Sequence, residues 1–113
     1  MTKEILHKVD GFNWALNIED NGIGRTLASS KTPGKGFEYS RESFFMNLMD
    51  RTIKPGMTCI DLGANIGYAT MFMLRNSNAS GAVGADKGTV YAIEPDSHNL
   101  KYLKGNLRLN GYY

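Results

Sequence analysis

Apolar residues occupy every second position near the start of the chain, at Phe12, Trp14, Leu16 and Ile18 within residues 8–18. That period of two predicts a strand with one buried face. Glu19-Asp20-Asn21-Gly22 then reads as a turn, because Asn-Gly tolerates positive φ. The polar run at 29–36, Ser-Ser-Lys-Thr-Pro-Gly-Lys-Gly, reads as a flexible loop. It divides the chain into an N-terminal β appendage, residues 1–35, and a second part, residues 36–113.

From residue 40 the pattern turns helical. Ser40 can cap a helix running to about Ile53, with Phe44, Phe45, Leu48 and Met49 as its apolar face and Glu42 in its first turn. Lys54-Pro55-Gly56 breaks it. The short apolar run from Met57 to Leu62 is bounded by breakers, as expected of a strand buried on both faces of a parallel sheet. Ala69, Phe72 and Met73 give the next helix an inward stripe. Residues 76–88 are small, polar and glycine-rich and predict an exposed loop that is long for a helix-to-strand connection. Thr89 to Ile93 is a second buried strand. Asp96 or Ser97 then caps a last helix carrying Leu100, Leu103 and Leu107, with Asn110-Gly111 as its stop. Gly105 inside that helix costs about 1 kcal/mol relative to alanine, which weakens its last turns.

Helix, strand, helix, strand, helix implies a parallel α/β sheet. Two strands are too few for such a sheet, and the N-terminal strand does not easily supply the missing ones. The expected fold is therefore the front half of a doubly wound α/β domain, truncated after its second core strand and the following helix, with an N-terminal β-strand or hairpin appendage. An open sheet edge at the truncation would suit self-association or a complementary chain.

Composition narrows the function classes. A chain of 113 residues is one domain at most, and 42% hydrophobic content with three prolines is that of a globular protein. A net charge of +2, with Lys and Arg scattered, argues against a nucleic-acid partner. Cys59 is the single cysteine, so no intrachain disulfide can form; set in an apolar run with no adjacent cation, it reads as a small buried hydrophobe. The first residues lack the apolar stretch of a signal peptide, and no segment approaches the roughly 18 apolar residues of a membrane span. A cytoplasmic location with no membrane partner is the default expectation.

The chemistry concentrates at the ends of the two predicted parallel strands. Asp61-Leu62-Gly63-Ala64-Asn65-Ile66-Gly67 closes the first, and Ile93-Glu94-Pro95-Asp96 closes the second. Ligands of open α/β sheets bind beyond these carboxyl ends. Gly63 and Gly67 permit a sharp turn and a close backbone approach. The following helix, starting near Ile66 or Gly67, points unpaired N–H groups at the site, which favours an anion. A dinucleotide would want Gly-x-Gly-x-x-Gly. Here the spacing is Gly-x-x-x-Gly, and Asp61 stands two residues before the first glycine. That carboxylate disfavours a pyrophosphate and suits S-adenosylmethionine, which carries an ammonium, a sulfonium and a carboxylate. Glu94 can accept both ribose hydroxyls.

Lys54-Pro55-Gly56, Asp61 through Tyr68, Val90 through Asp96 and Asn106-Leu107-Arg108-Leu109-Asn110-Gly111 together closely resemble the FkbM-type family of S-adenosylmethionine-dependent methyltransferases, over about residues 36–111. The resemblance implies a Rossmann-like methyltransferase fold and methyl transfer to a hydroxyl of a small molecule or sugar. It implies that Asp61, Gly63, Asn65 and Gly67 shape the methionine end and that Glu94 holds the ribose. Asn65 stands where many other methyltransferases have a glycine, and Tyr68 lies either against the cofactor or in the core. The candidate cofactor residues are thus Asp61, Gly63, Ala64, Asn65, Gly67, Tyr68, Glu94 and Asp96, with no metal. The family's remaining strands, which would carry adenine contacts and most of the acceptor pocket, are absent. His7 and His98 are read as solvated, and no residue is assigned as a general base. The competing readings are a non-catalytic cofactor-binding or partner-docking module and a dinucleotide-dependent oxidoreductase.

Overall fold

The computed structural model describes residues 3–19, 22–28, 41–78 and 87–112. Within them lie two small sheets and four helices, in the order β1 (Glu4–Val9), β2 (Phe12–Asn17), α1 (Ile23–Ala28), α2 (Arg41–Thr52), β3 (Thr58–Leu62), α3 (Tyr68–Ser77), β4 (Thr89–Ile93) and α4 (Ser97–Leu109). The predicted Ser40 cap, the 29–36 loop, the Asp20-Asn21 part of the first turn and most of the 76–88 loop lie outside the described residues, as does the Glu42 side chain.

Of the strand or hairpin expected at the N-terminus, the structure has the hairpin. β1 and β2 pair antiparallel, with Val9 opposite Phe12, so the loop is only Asp10-Gly11. Both loop residues have positive φ, 55° and 82°, the requirement of the two-residue turn whose twist matches that of the strands. Phe12, Trp14 and Leu16 are buried as their alternation predicts, while Ile18 lies past the strand end and donates its N–H to the Lys3 carbonyl at 3.0 Å. His7 is half-buried opposite Trp14, not in a solvated stretch. The six-residue α1 was not expected, yet it delivers a fully buried Leu27 to the core.

The core gathers residues from both halves of the chain. Val9, Phe12, Trp14 and Leu16 of the hairpin pack in one cluster with Leu27, Met46, Met49, Tyr68, Met71, Phe72 and Tyr102. Trp14 stacks tilted on Tyr68 with ring centroids 5.7 Å apart, and Phe12 meets Phe72 edge-on at 5.6 Å. Arg75 caps this cluster. Its guanidinium lies 4.6 Å from the Phe72 ring and 5.0 Å from Phe12, donates to the Asp10 carbonyl and pairs with Asp50 of α2 at 3.2 Å.

The hairpin's outer edge is closed by a helix. On α4, Asn106 Oδ1 accepts from the Ala15 N–H at 2.7 Å. One turn on, Asn110 accepts from the Asn13 N–H at 2.9 Å and donates to the Asn13 carbonyl at 2.8 Å. Two amides spaced by four residues thus stand in for a third strand, which blunts an otherwise open edge. Asn106 is fully buried, and its Nδ2 donates to the Ile66 carbonyl at 3.1 Å, tying the hairpin to the turn after β3.

The second sheet departs from expectation. β3 and β4 are parallel and in register from Thr58 opposite Thr89 to Leu62 opposite Ile93. Cys59, Asp61, Val90 and Ala92 sit under α3, but the other face is bare: Ile60, Leu62, Tyr91 and Ile93 are 51–76% exposed. The expected burial on both faces is not met, because the described residues put a helix layer on one side only.

The helices correct three further expectations. α2 buries Met46 and Met49, whereas Phe44, Phe45 and Leu48 are exposed, because adjacent residues point about 100° apart and only the Met46–Met49 side meets α3. α3 buries Tyr68, Thr70, Met71 and Phe72, a wider face than the predicted stripe, in which Ala69 and Met73 are only half-buried. In α4, Tyr102, Leu103 and Asn106 are buried, while Leu100 and Leu107 are half-buried. Gly105 does not end α4. The helix stops at the predicted place, where the N–H groups of Gly111 and Tyr112 return to the Arg108 and Leu107 carbonyls.

Candidate functional site

The register of β3 on β4 fixes the site. Because Leu62 pairs with Ile93, the turns that follow leave the sheet side by side. The Gly63 and Ala64 N–H groups both donate to the Ile93 carbonyl, at 2.9 and 3.0 Å, hooking the first turn onto the second strand. Gly63, Asn65 and Gly67 all have positive φ, 76°, 55° and 101°. Gly67 is also sterically confined, since a Cβ there would lie 2.7 Å from Leu103 Cδ1. This is the N-cap position of α3, which carries no side-chain cap. The requirement for glycine rests on the left-handed backbone, since the Leu103 methyl is the far end of a side chain that can shift.

Glu94 joins the two turns. Its Oε1 accepts from the Asn65 N–H and its Oε2 from the Asp96 N–H, each at 3.1 Å. The two predicted strand-end segments are thus one hydrogen-bonded unit. A carboxylate oxygen has two acceptor positions, so one on each oxygen remains for a ligand donor. Asp61 is 8% exposed, and its Oδ2 accepts from the Thr70 hydroxyl of α3 at 2.6 Å. Among the described residues every buried side-chain polar atom has a partner.

A cleft of 430 Å³ opens beside this unit, within the size range of small-molecule sites. One wall is Asp61, Gly63, Ala64, Asn65, Tyr68 and Ala69, and the other is Gly22, Ile23, Phe45 and Met46. Asp61, Gly63, Ala64, Asn65 and Tyr68 of the motif therefore border one cleft. Gly67, Glu94 and Asp96 do not line the cleft, although Glu94 accepts from the N–H of Asn65, which does. Asp96 is exposed and caps α4, accepting from the His98 N–H at 3.3 Å. Tyr68 serves the core first. Its ring is buried between Trp14 and Phe72, and its hydroxyl donates to the Asp10 carboxylate.

The loop amides are less available to an anion than the sequence suggests. Gly63 and Ala64 are committed to Ile93, Asn65 to Glu94, and Gly67 to the Ala64 carbonyl at 2.9 Å. What this turn offers a ligand is shape, the Asp61 carboxylate and the first turn of α3.

Of the lining residues Ile23, Phe45 and Met46, the sequence pattern places only Phe45, on the apolar face of α2, and gives the other two no role. One signal was present in the sequence: the apolar positions 44, 45, 46, 48 and 49 spread over about 200° of the helix, too wide for one core to cover them all. Other reactive groups stand apart. His98 is exposed beside the Tyr102 ring, and burial pushes the Cys59 thiol up from its usual range, favouring the protonated form. Among the described residues no cluster of three or more metal-ligating side chains occurs, and no helix is long and apolar enough to cross a membrane.

Against solved structures, the chain is similar to the crystal structure of a "putative transferase", PH0793, from Pyrococcus horikoshii. The TM-score is 0.61 at 19% identity, and the match covers 97% of this chain and 33% of that one. At that identity the likeness is one of fold, and this chain spans about a third of that protein's length. No family model matches the chain, and no curated protein does.

Proposed function

We propose that this chain carries the strand-end half of an S-adenosylmethionine site of the FkbM methyltransferase type. In this reading the complete protein is a transferase that methylates a hydroxyl of a small molecule or sugar. The observation that carries the reading is the Glu94 carboxylate bridging the Asn65 and Asp96 amides, next to a cleft bordered by the buried Asp61. Two carboxylates held at the ends of neighbouring parallel strands suit a ligand with a cationic amino-acid end and a ribose. They do not suit a pyrophosphate, which also weighs against a dinucleotide. The transferase fold likeness is compatible with the reading and does not choose the group transferred.

The donor set fits that cofactor. Asp61 would face its ammonium, the left-handed turn from Gly63 to Gly67 would admit its amino-acid arm, and the outer lone pairs of Glu94 would take the ribose hydroxyls. When bound, the cofactor supplies an electrophilic methyl on a sulfonium. The chain's own contribution is orientation, which accounts for much of the rate in a displacement of this kind. Neither His7 nor His98 borders the cleft, so no general base is assigned.

The second reading is a cofactor-binding or partner-docking module without catalysis of its own, and the bare face of the β3–β4 sheet favours it. A further layer, from the same protein, a second copy or a complementary chain, would cover Ile60, Leu62, Tyr91 and Ile93 in either reading.

Saturation-transfer NMR, which detects binding up to millimolar Kd, tests the proposal with S-adenosylmethionine, its demethylated product and NAD. The expected result is transfer to both sulfur ligands, little to NAD, and a loss of about tenfold in affinity for Asp61→Asn and for Glu94→Gln. Transfer to NAD alone, no transfer at all, or unchanged affinity in both variants would reject the site.

A further inference from the structure

The cleft holds the residues assigned to the amino-acid end of the cofactor but not Glu94 or Asp96. The ribose end of a ligand on Glu94 therefore lies outside it, and what enters the cleft is the arm beyond the sulfur. Facing Asp61 and Asn65 across that space are Ile23 at the start of α1 and Phe45 and Met46 of α2. Met46 is 7% exposed and belongs to the core, and Ile23 packs partly against it. Phe45 is different. It is 48% exposed, outside the core cluster, and borders the cleft. A large aromatic side chain left half-open beside a lined cleft gains burial when the cleft is filled.

We infer that Phe45 is a specificity residue of this site, forming the apolar wall against the thioether-bearing amino-acid arm of the ligand while Asp61 takes its charged end. The inference rests on the S-adenosylmethionine reading and extends it to a residue of the N-terminal half of the chain. An arm with a methylene chain and a polarizable sulfur next to a phenyl ring buries apolar surface and makes a favourable sulfur–aromatic contact. A nucleoside with a methyl in place of the arm keeps the sulfur contact but loses the apolar area of the methylene chain and the charged end that Asp61 takes.

The test compares two neutral-sulfur ligands that differ in the arm alone: S-adenosylhomocysteine and 5′-methylthioadenosine. Dissociation constants are read by ligand-observed NMR on the whole chain, for wild type, Phe45→Ala and Phe45→Leu. Because Phe45 is half-exposed, both variants keep the wild-type unfolding midpoint, read in parallel. The wild type binds S-adenosylhomocysteine more tightly, and Phe45→Ala weakens it about fivefold with methylthioadenosine changed less than twofold. Phe45→Leu, which keeps much of the apolar area, falls between. Equal weakening of both ligands, or no weakening of either, overturns the role of Phe45. A wild type that binds neither ligand overturns the cofactor reading itself, so the two failures are distinguishable.

Discussion

The two faces of the β3–β4 sheet share out ten alternating residues and have opposite fates. On one, Cys59, Asp61, Val90 and Ala92 lie under α3, and the one charged group among them is hydrogen-bonded to Thr70. On the other, Ile60, Leu62, Tyr91 and Ile93 are left 51–76% exposed. A strand with apolar residues on both sides records a need for two covers, not the presence of both. The covered side owes its order to elements far away in sequence: the hairpin, α3 and α4 share one aromatic cluster and a set of buried amides.

That contrast can be broken by substitution. The largest effect belongs to Trp14, fully buried between Phe12 and Tyr68 with its indole N–H on the Val9 carbonyl at 3.2 Å. Trp14→Ala is expected to cost about 3–5 kcal/mol in urea unfolding followed by circular dichroism. Set against a total of about 5–15 kcal/mol for a typical domain, that removes much of the stability. A cost below about 1 kcal/mol would mean that the hairpin is not sealed against α3.

Asn106→Ala comes next. It strips partners from the Ala15 N–H and the Ile66 carbonyl at a fully buried position, for an expected loss of about 2–4 kcal/mol. Asn110→Ala makes a similar deletion where water can replace the amide, and should cost less than about 1 kcal/mol. Equal costs for the two would contradict the difference in burial on which this pair of predictions rests.

The smallest effect is predicted on the bare face. Leu62→Thr keeps a strand-compatible side chain and should change stability by no more than about 0.5 kcal/mol, while lowering the binding of a hydrophobic dye. A loss above about 2 kcal/mol would show that the face is covered in solution.

Much of this arrangement is legible in the sequence where the signal is local. The Asn110-Gly111 stop, the parallel strands and the strand-end placement of Asp61 and Glu94 follow from breakers, caps and apolar runs. Other features depend on where the chain returns to itself. The Asp10-Gly11 turn is a strong hairpin signal, but it sits just before an alternating run and is absorbed into the longer strand that the run suggests. Asn106 and Asn110 look like ordinary polar helix positions, and only the hairpin edge beside α4 gives them work. The cleft is the clearest case. Its motif wall is a local pattern, whereas the wall of Ile23, Phe45 and Met46 exists only because α1 and α2 fold across it.

Amide-resolved NMR during titration with S-adenosylhomocysteine tests the central claim, that Asp61 and Glu94 mark one ligand site, most directly. The predicted result is that the largest shifts fall on the Gly63, Asn65 and Asp96 amides, with Asn13 on the far edge of the hairpin unmoved, and that Asp61→Asn suppresses them. Shifts confined to Ile60, Leu62 and Tyr91 on the bare face, or none at millimolar ligand, would contradict it.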